Sequence, residues 1–179
     1  MTTDQTNLTL PQVVLGSTSP FRKTLLDKLH IPFTQDAPDI DETPLSTESP
    51  KEMVLRLSHA KADVFKSKYP NNIIITSDQC AVFNKQTIGK PHTFEKAVKQ
   101  LQQFSNNKIT FYTGLVVCNT ATNQNYEYLD TTIVHFRTLS DEVINNYIEL
   151  EQPLNCAGSF KSEGLGVTLF HRIDSRDPN

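Results

Sequence analysis

The stretch STSPFRK at residues 17–23 combines three small hydroxyl side chains with two cations. It follows the apolar residues 13–15 and precedes a helical pattern of leucines, so it lies where a helix begins. The first N–H groups of a helix are unpaired and the helix dipole is positive there, so anions bind well. Arg22 and Lys23 are unfavourable against that dipole unless an anion lies beside them. The stretch therefore predicts a phosphate site; the alternative is an ordinary Ser-capped helix with solvated cations.

Several other charged side chains could complete such a site. Asp78 follows the isoleucine run 73–75, and the carboxyl ends of strands in open α/β sheets face the ligand crevice. A carboxylate there can hold a divalent metal or orient a water molecule. The segment DIDET at residues 39–43 offers more carboxylates, Lys61 lies near a buried helical stripe, and Lys90 lies in the rigid turn GKP. The alternatives are an Asp that caps a turn, a solvated acidic loop and a snorkelling lysine.

Motifs for other chemistries are missing from the sequence. It contains no GxxxxGK[ST], GxSxG or GxGxxG pattern, and its five histidines do not have metal-ligand spacing. We therefore expect water to be the nucleophile and expect no covalent enzyme intermediate.

The apolar periodicity predicts an α/β chain with a mixed sheet. The first helix begins at the Ser19 cap and presents the apolar stripe of Phe21, Leu25 and Leu29, and residues 33–48 are predicted to be an acidic loop. A capping box at SPKE, residues 49–52, begins a second helix, whose predicted buried stripe is Met53, Leu57, Ala60 and Val64. Two more helices follow, one carrying Phe94, Ala97, Leu101 and Phe104 and one capped by Ser140. Strands are predicted at 13–15, 73–75, 81–83 with 87–88, 109–118, 126–138 and 167–173.

Net charge, hydropathy and cysteine content indicate which partners and which cellular location to expect. The net charge of −3 argues against a nucleic-acid partner, and no apolar stretch approaches the roughly 20 residues of a membrane span. The first ten residues are polar and lack cations, so we expect a loose extension and no signal peptide. Three widely spaced cysteines indicate reduced thiols in the cytoplasm. We expect residues 1–179 to form a single domain.

Seven motifs together resemble the Maf-like nucleoside triphosphate pyrophosphatases. They fall in the family's order and span nearly the whole chain: LGSTSPFRKTLL at 15–26, DIDET at 39–43, SDQ at 77–79, GKP at 89–91, FYTGL at 111–115, HFRTLS at 135–140 and CAGSFKSEGLG at 156–166.

This resemblance implies an elongated α/β fold with two lobes around a deep cleft. It implies hydrolysis of a nucleoside triphosphate to the monophosphate and pyrophosphate, with Mg²⁺, Mn²⁺ or Co²⁺ as the cofactor. Asp78 would be the proton acceptor that activates water, and Glu42 with Asp78 would hold the metal. The implied phosphate ligands are Ser17, Arg22, Lys61 and Lys90.

Finer details are similar to the branch of the family that hydrolyses 7-methyl-GTP. They are Phe21, Gln79 and Glu163, to which the resemblance assigns base preference. The chemistry fits, because a 7-methylguanine ring is cationic and an aromatic face favours a cation by ~0.5–2 kcal/mol. Glu163 can accept hydrogen bonds from guanine N1–H and the exocyclic amine, which also serves plain GTP.

The chain departs from the family pattern in several places. Lys23 replaces the second arginine of many family members, which keeps the charge but loses a planar fork. Ser175 stands where relatives often carry glycine. Members usually continue with a final helix, so the resemblance implies that this helix is missing after Asn179; a homodimer is one assembly it allows. The competing functions are hydrolysis of canonical or modified pyrimidine triphosphates and a non-catalytic nucleotide-binding regulator of cell division.

Overall fold

A computed structural model describes residues 11–176, so the loose extension expected at residues 1–10 lies outside the described residues. Within this range one mixed sheet has the strand order β2-β1-β3-β5-β6-β7, and β4 pairs with the end of β3. The strands are β1 (Val13–Gly16), β2 (Phe33–Asp36), β3 (Ile73–Phe83), β4 (Gln86–Ile88), β5 (Lys108–Asn119), β6 (Gln124–Phe136) and β7 (Phe170–Asp174). The α-helices are α1 (Pro20–Asp27), α2 (Pro50–Lys66), α3 (Phe94–Phe104) and α4 (Asp141–Glu151).

The sheet changes from parallel to antiparallel along β3. Its first residues pair in parallel with β1 up to Thr76, which lies opposite Gly16. The strand then continues past the end of β1 and pairs antiparallel with β5 as far as Val82. The sequence-based prediction that Asp78 follows the strand is therefore wrong: Asp78 lies inside β3, opposite Gly114. It still lies beyond the parallel part of the sheet, where β1 has ended.

Helix α2 packs on one face of the sheet, directly over Gly114 of β5. A Cβ atom at Gly114 would come within 2.6 Å of the backbone oxygen of Val54, so only glycine allows this close approach. The Ser58 hydroxyl donates to the Gly114 carbonyl at 3.0 Å, and the Thr76 hydroxyl donates to the Ser58 carbonyl at 2.7 Å. These two bonds fix the height of α2 along β3 and β5.

The opposite face of the sheet carries α3 and α4. Side chains alternate along a strand, so Asp78 faces α2 whereas Ser77, Gln79 and Ala81 point to the other face. The core on this face includes Leu101 and Phe104 of α3, Phe136 of β6 and Ile144 and Ile148 of α4, all fully buried.

Several predicted local signals are confirmed. Ser49 and Glu52 form the capping box of α2, and Ser19 and Ser140 cap α1 and α4. The hairpin turn falls at Asn84 and Lys85, which have positive φ angles of 48° and 66°. Cys80 and Cys118 are buried and all three cysteines are free thiols.

Four other expectations about elements are wrong. Residues 33–48 contain an edge strand, β2, whose backbone pairs with β1 although its composition is polar. Val64 is exposed and Phe65 is buried instead, so the stripe of α2 is rotated by about one residue. The last strand starts at Phe170, after a short 3₁₀ helix over Leu165–Thr168.

The fourth correction concerns α1. Phe21, Leu25 and Leu29 are exposed, and Leu26 is the helix's buried residue. A periodic stripe shows which side chains share a face, but tertiary packing decides which face is covered. The mixed α/β sheet is therefore confirmed, while the deep cleft between two lobes stays a prediction. No helix among residues 11–176 is long and apolar enough to cross a membrane.

Candidate active site

Lys61 lies between two carboxylates on the α2 face of the sheet. Its Nζ atom is 2.5 Å from Oδ1 of Asp78 and 2.7 Å from Oε1 of Glu42. Lys61 is 5% exposed, so its ammonium group is not the solvated head of a snorkelling lysine. The hydrogen bonds of Ser58, one turn earlier in α2, set the position from which Lys61 reaches Asp78.

The stretch before α1 is organised around the buried hydroxyl of Ser17. Its Oγ accepts hydrogen bonds from the backbone N–H of Ser19 at 3.1 Å and from Nη1 of Arg22 at 3.4 Å. Gln35 of β2 donates to the Ser17 carbonyl at 2.7 Å. A cavity of about 300 Å³ beside this stretch is lined by Ser17, Thr18, Gln35, Asp36 and Ala37.

Arg22, in the first turn of α1, interacts electrostatically with the carboxylates of Asp78 and Glu42. Burial lowers the pKa of the Arg22 guanidinium, and the negative charges of Asp78 and Glu42 oppose that change. Both carboxylates therefore lie within electrostatic range of Arg22. Five of the predicted site residues meet around one position, and we call them the Lys61 cluster: Ser17, Arg22, Glu42, Lys61 and Asp78.

The Lys61 cluster fits a divalent metal that arrives with its ligand. Among the described residues no group of three or more His, Cys, Asp and Glu side chains could hold a metal ion alone. Mg²⁺, however, is usually bound by one or two carboxylates together with substrate phosphates. Glu42 and Asp78, which share the Lys61 ammonium, supply those two carboxylates.

A second group of residues surrounds Phe21, which is next to Arg22 in the first turn of α1. Phe21 is 41% exposed, and Nζ of Lys161 lies 5.8 Å from its ring centroid. The backbone N–H of Lys161 donates to the Tyr147 hydroxyl at 3.0 Å, and its Nζ donates to the Glu151 carbonyl at 2.5 Å. Lys161 thus ties the glycine-rich segment, residues 157–166, to the end of α4 and to Phe21.

Glu163 and Lys90 are exposed and share the surroundings of Cys156. Burial raises the pKa of the Cys156 thiol; Glu163 reinforces that rise, whereas Lys161 and Lys90 oppose it. The Glu163 carboxylate also accepts a hydrogen bond from the Ser162 hydroxyl at 3.1 Å. After the role in base preference that the family resemblance implies for Phe21 and Glu163, we call Phe21, Lys161 and Glu163 the base-side group. Lys90 lies near this group, as its effect on Cys156 indicates.

Gln79 is next to Asp78 in sequence but lies on the opposite face of β3. Its Nε2 donates to Oγ1 of Thr113 at 2.9 Å. Thr113 in turn pairs with Asp130 of β6, so the three side chains form a row across the sheet. One carboxylate oxygen of Asp130 is buried without a hydrogen-bond partner among the described residues. Gln79 therefore does not contribute to the Lys61 cluster.

Sequence reasoning missed residues whose importance depends on contacts distant in the chain. Lys161 lies in the motif CAGSFKSEGLG, but no periodicity in the sequence indicates that its side chain contacts Phe21. Arg56 of α2 and Glu48, which form an ion pair with an Nε–Oε2 distance of 2.7 Å, were not singled out. Their spacing of eight residues crosses a helix start, where helical geometry does not specify which side chains meet.

Comparisons with known proteins identify the family to which the chain belongs. A family model described as "Maf-like protein" matches residues 12–179. A protein of Hydrogenovibrio crunogenus named 7-methyl-GTP pyrophosphatase is 57% identical over 170 residues, which cover 95% of this chain and 85% of that protein. One of the same name from Colwellia psychrerythraea is 52% identical over 167 residues, covering 93% and 84%.

A solved structure described as a HAM1 protein from Coxiella burnetii is 15% identical, with a TM-score of 0.46 over 70% of this chain and 73% of that one. That partial likeness adds nothing to the family assignment, which rests on the family model and on the two relatives. By these matches, the chain belongs to the Maf family.

Proposed function

We propose that this chain is a nucleoside triphosphate pyrophosphatase that hydrolyses 7-methyl-GTP to 7-methyl-GMP and pyrophosphate. The observation that carries the proposal is the meeting of Arg22 from the first turn of α1 with Asp78 and Glu42 around Lys61. Two cations, two carboxylates and a buried hydroxyl at one position match the needs of a triphosphate. The names of the two relatives favour 7-methyl-GTP as the substrate.

The cations would neutralise the phosphates. The Lys61 ammonium has three N–H donors; it donates a hydrogen bond to Asp78 and forms an ion pair with Glu42. Its remaining N–H donors would bind a phosphate oxygen. Arg22 offers a planar fork of donors from the helix N-terminus, where the dipole already favours an anion. Lys90 would neutralise charge from the base-side part of the site.

Asp78 would act as the general base. Lys61 engages its Oδ1 oxygen, and we assign the other oxygen to take the proton from the attacking water. The new bond forms between the water oxygen and the α-phosphorus, and the bond to the bridging oxygen breaks so that pyrophosphate leaves. A positioned carboxylate base typically contributes 10²–10⁴-fold to such a step, as an order of magnitude.

Glu42 and Asp78 would hold Mg²⁺, Mn²⁺ or Co²⁺. When bound, the metal would supply positive charge against the phosphate oxygens. Because Glu42 is largely exposed in its ion pair with Lys61, its carboxylate can exchange that partner for a metal.

The base-side group would set base preference. Phe21 presents an exposed ring next to Lys161, on which a cationic base can stack. Glu163 would accept hydrogen bonds from the guanine edge. Gln79 lies on the sheet face opposite Asp78, so its assigned role in base preference requires the base to reach that face.

Two other activities remain competing hypotheses, namely hydrolysis of pyrimidine triphosphates and nucleotide binding without catalysis. Phe21 and Glu163 argue against a pyrimidine substrate, and retention of the whole Lys61 cluster argues for catalysis. We further propose that the protein works in the cytoplasm, because its three cysteines are free thiols.

Pyrophosphate release over a nucleotide panel tests these functions. The panel contains 7-methyl-GTP, GTP, dTTP and UTP, each with Mg²⁺, Mn²⁺ or Co²⁺. We expect the highest kcat/KM for 7-methyl-GTP, and a loss of at least roughly 100-fold in Asp78→Asn. A preference for dTTP or UTP would support the pyrimidine hypothesis, and tight calorimetric binding without release would support the regulator.

A further inference from the structure

The loop that delivers Glu42 to the Lys61 cluster has almost no apolar support. All residues from Asp41 to Thr47 are exposed, and the segment from Pro44 to Pro50 borders a cavity of about 440 Å³ instead of packed side chains. Ile40, at the start of the loop, packs on the core around Met53 and Leu57. A segment with so little buried surface is expected to open readily, so something else must hold Glu42 in place.

Arg56 supplies that support from the second turn of α2. Its Nε and Nη2 atoms bind the two carboxylate oxygens of Glu48, each at 2.7 Å. Nη2 also donates to the carbonyl of Thr43 at 3.2 Å, and Thr43 directly follows Glu42. Arg56 therefore binds the loop on both sides of residues 44–47.

Glu48 completes the brace. Its Oε1 accepts the backbone N–H of Leu45 at 2.8 Å in addition to the Arg56 bond, and its side chain is 8% exposed. The hydrogen bonds from Arg56 lower the pKa of Glu48 to about 2. Bidentate arginine–carboxylate pairs are the strong and geometrically specific class of ion pair.

We propose that Arg56, through Glu48 and the Thr43 carbonyl, is a positioning residue that holds the Glu42 carboxylate against Lys61 and Asp78. Arg56 and Lys61 lie five residues apart on the same helix, so α2 supplies both the cation of the cluster and the brace for its acidic loop. The inference rests on the proposed role of Glu42 in the function above.

Hydrogen exchange of the protein without nucleotide or metal tests the brace. We expect amides of residues 41–47 to exchange about tenfold faster in Arg56→Met and Glu48→Gln. Lys66→Met is the matched control, because it removes an exposed ion pair with Asp63 from the same helix and should leave the loop unchanged. If the amides of residues 41–47 exchanged at the wild-type rate in both Arg56→Met and Glu48→Gln, the proposal would be overturned.

A double-mutant cycle tests whether Arg56 acts through Glu42. We expect Arg56→Met to lower kcat/KM about tenfold, and to have less than about a twofold further effect when Glu42 is already Gln. Arg56→Lys should recover only part of the loss, because lysine lacks the planar fork. Fully additive losses would overturn the positioning role. If the wild-type chain releases no pyrophosphate, the proposed function fails, and the exchange experiment alone decides the brace.

Discussion

The Lys61 cluster and the base-side group each include one residue from the first turn of α1, Arg22 and Phe21, but they are built differently. Lys61 projects from α2 onto Asp78 in the middle of a strand, and it is 5% exposed. Phe21 is 41% exposed, and Lys161 and Glu163 belong to a segment without regular secondary structure at those residues. Lys61 and Asp78 are positioned by a helix packed on a sheet, whereas Lys161 and Glu163 lie on a loop that Lys161 ties to the end of α4.

Under the proposed function, this difference separates two tasks that one substrate imposes. Charge neutralisation and proton transfer at phosphorus need fixed geometry, which packed elements provide better than loops. A base is recognised through an aromatic face and hydrogen bonds that tolerate adjustment. Damage to the Lys61 cluster should therefore reduce stability and kcat together, whereas damage to the base-side group should change KM and base preference.

The two lysines give the largest expected contrast. Lys61→Met leaves Asp78 largely buried without its cation, and we expect a loss of about 3 kcal/mol in the free energy of unfolding and a large drop in kcat. Lys161→Met removes a hydrogen bond to the Glu151 carbonyl, a 4.0 Å ion pair with the Glu151 carboxylate and one ring contact, and we expect a loss of about 1 kcal/mol. Urea unfolding of both variants measures which of them loses more unfolding free energy. Equal losses would mean that the two regions are equally rigid.

Two glycines extend the same comparison to the backbone. Gly114→Ala places a methyl group 2.6 Å from the Val54 carbonyl oxygen, so α2 must shift, and we expect a loss of about 2–3 kcal/mol with lower kcat. Gly164→Ala meets the Glu151 carboxylate, also at 2.6 Å. That group is the end of a flexible side chain, so we expect less than about 1 kcal/mol.

Thermal unfolding and steady-state kinetics on the two variants check this contrast. A Gly164→Ala protein as unstable as Gly114→Ala would show that the glycine-rich segment is as closely packed as the crossing of α2 over the sheet.

The sequence predicts those features of the structure that depend on residues close together in the chain. Local signals were sufficient for the capping box at Ser49 and Glu52 and for the turn at Asn84 and Lys85, because each depends on neighbours in the chain. The exposed stripe of α1 and the strand hidden in residues 33–48 were not predictable in this way. Both depend on which surfaces other elements cover, and periodicity contains no such information.

The site shows the same limit. Residue types and the family resemblance identified Lys61, Asp78 and Glu42, but the sequence left Lys61 open between a snorkelling side chain and a phosphate ligand. The burial of Lys61 excludes the snorkelling side chain and follows from α2 crossing over Gly114, a contact between segments 56 residues apart at Ser58; the role of phosphate ligand stays a prediction. Arg56 and Glu48 were missed for the same reason.

A third test concerns base preference. Phe21→Leu should lower the preference for 7-methyl-GTP over GTP by at most roughly 30-fold, because only the contact between the ring and the cationic base distinguishes the two nucleotides. Leu25→Ala is the control, since Leu25 is equally apolar and 56% exposed on the same helix. We expect neither variant to change stability much. If Phe21→Leu left the preference for 7-methyl-GTP over GTP unchanged, the Phe21 ring would not contribute to base specificity.

The smallest expected effect is a pH dependence of stability at Glu48. Hydrogen bonds from Arg56 lower the pKa of Glu48 in the folded protein from 4.5 to about 2. A carboxylate with a lowered folded-state pKa stabilises the fold fully above its unfolded-state pKa, and that contribution disappears as the pH falls through the folded-state value. The difference in unfolding free energy between wild type and Glu48→Gln should therefore be constant from pH 7 to about pH 5 and shrink steadily below it. Urea unfolding at a series of pH values measures that difference. A difference that stays constant down to pH 3 would show that the ion pair is not formed as described, and the brace on Glu42 would lose its basis.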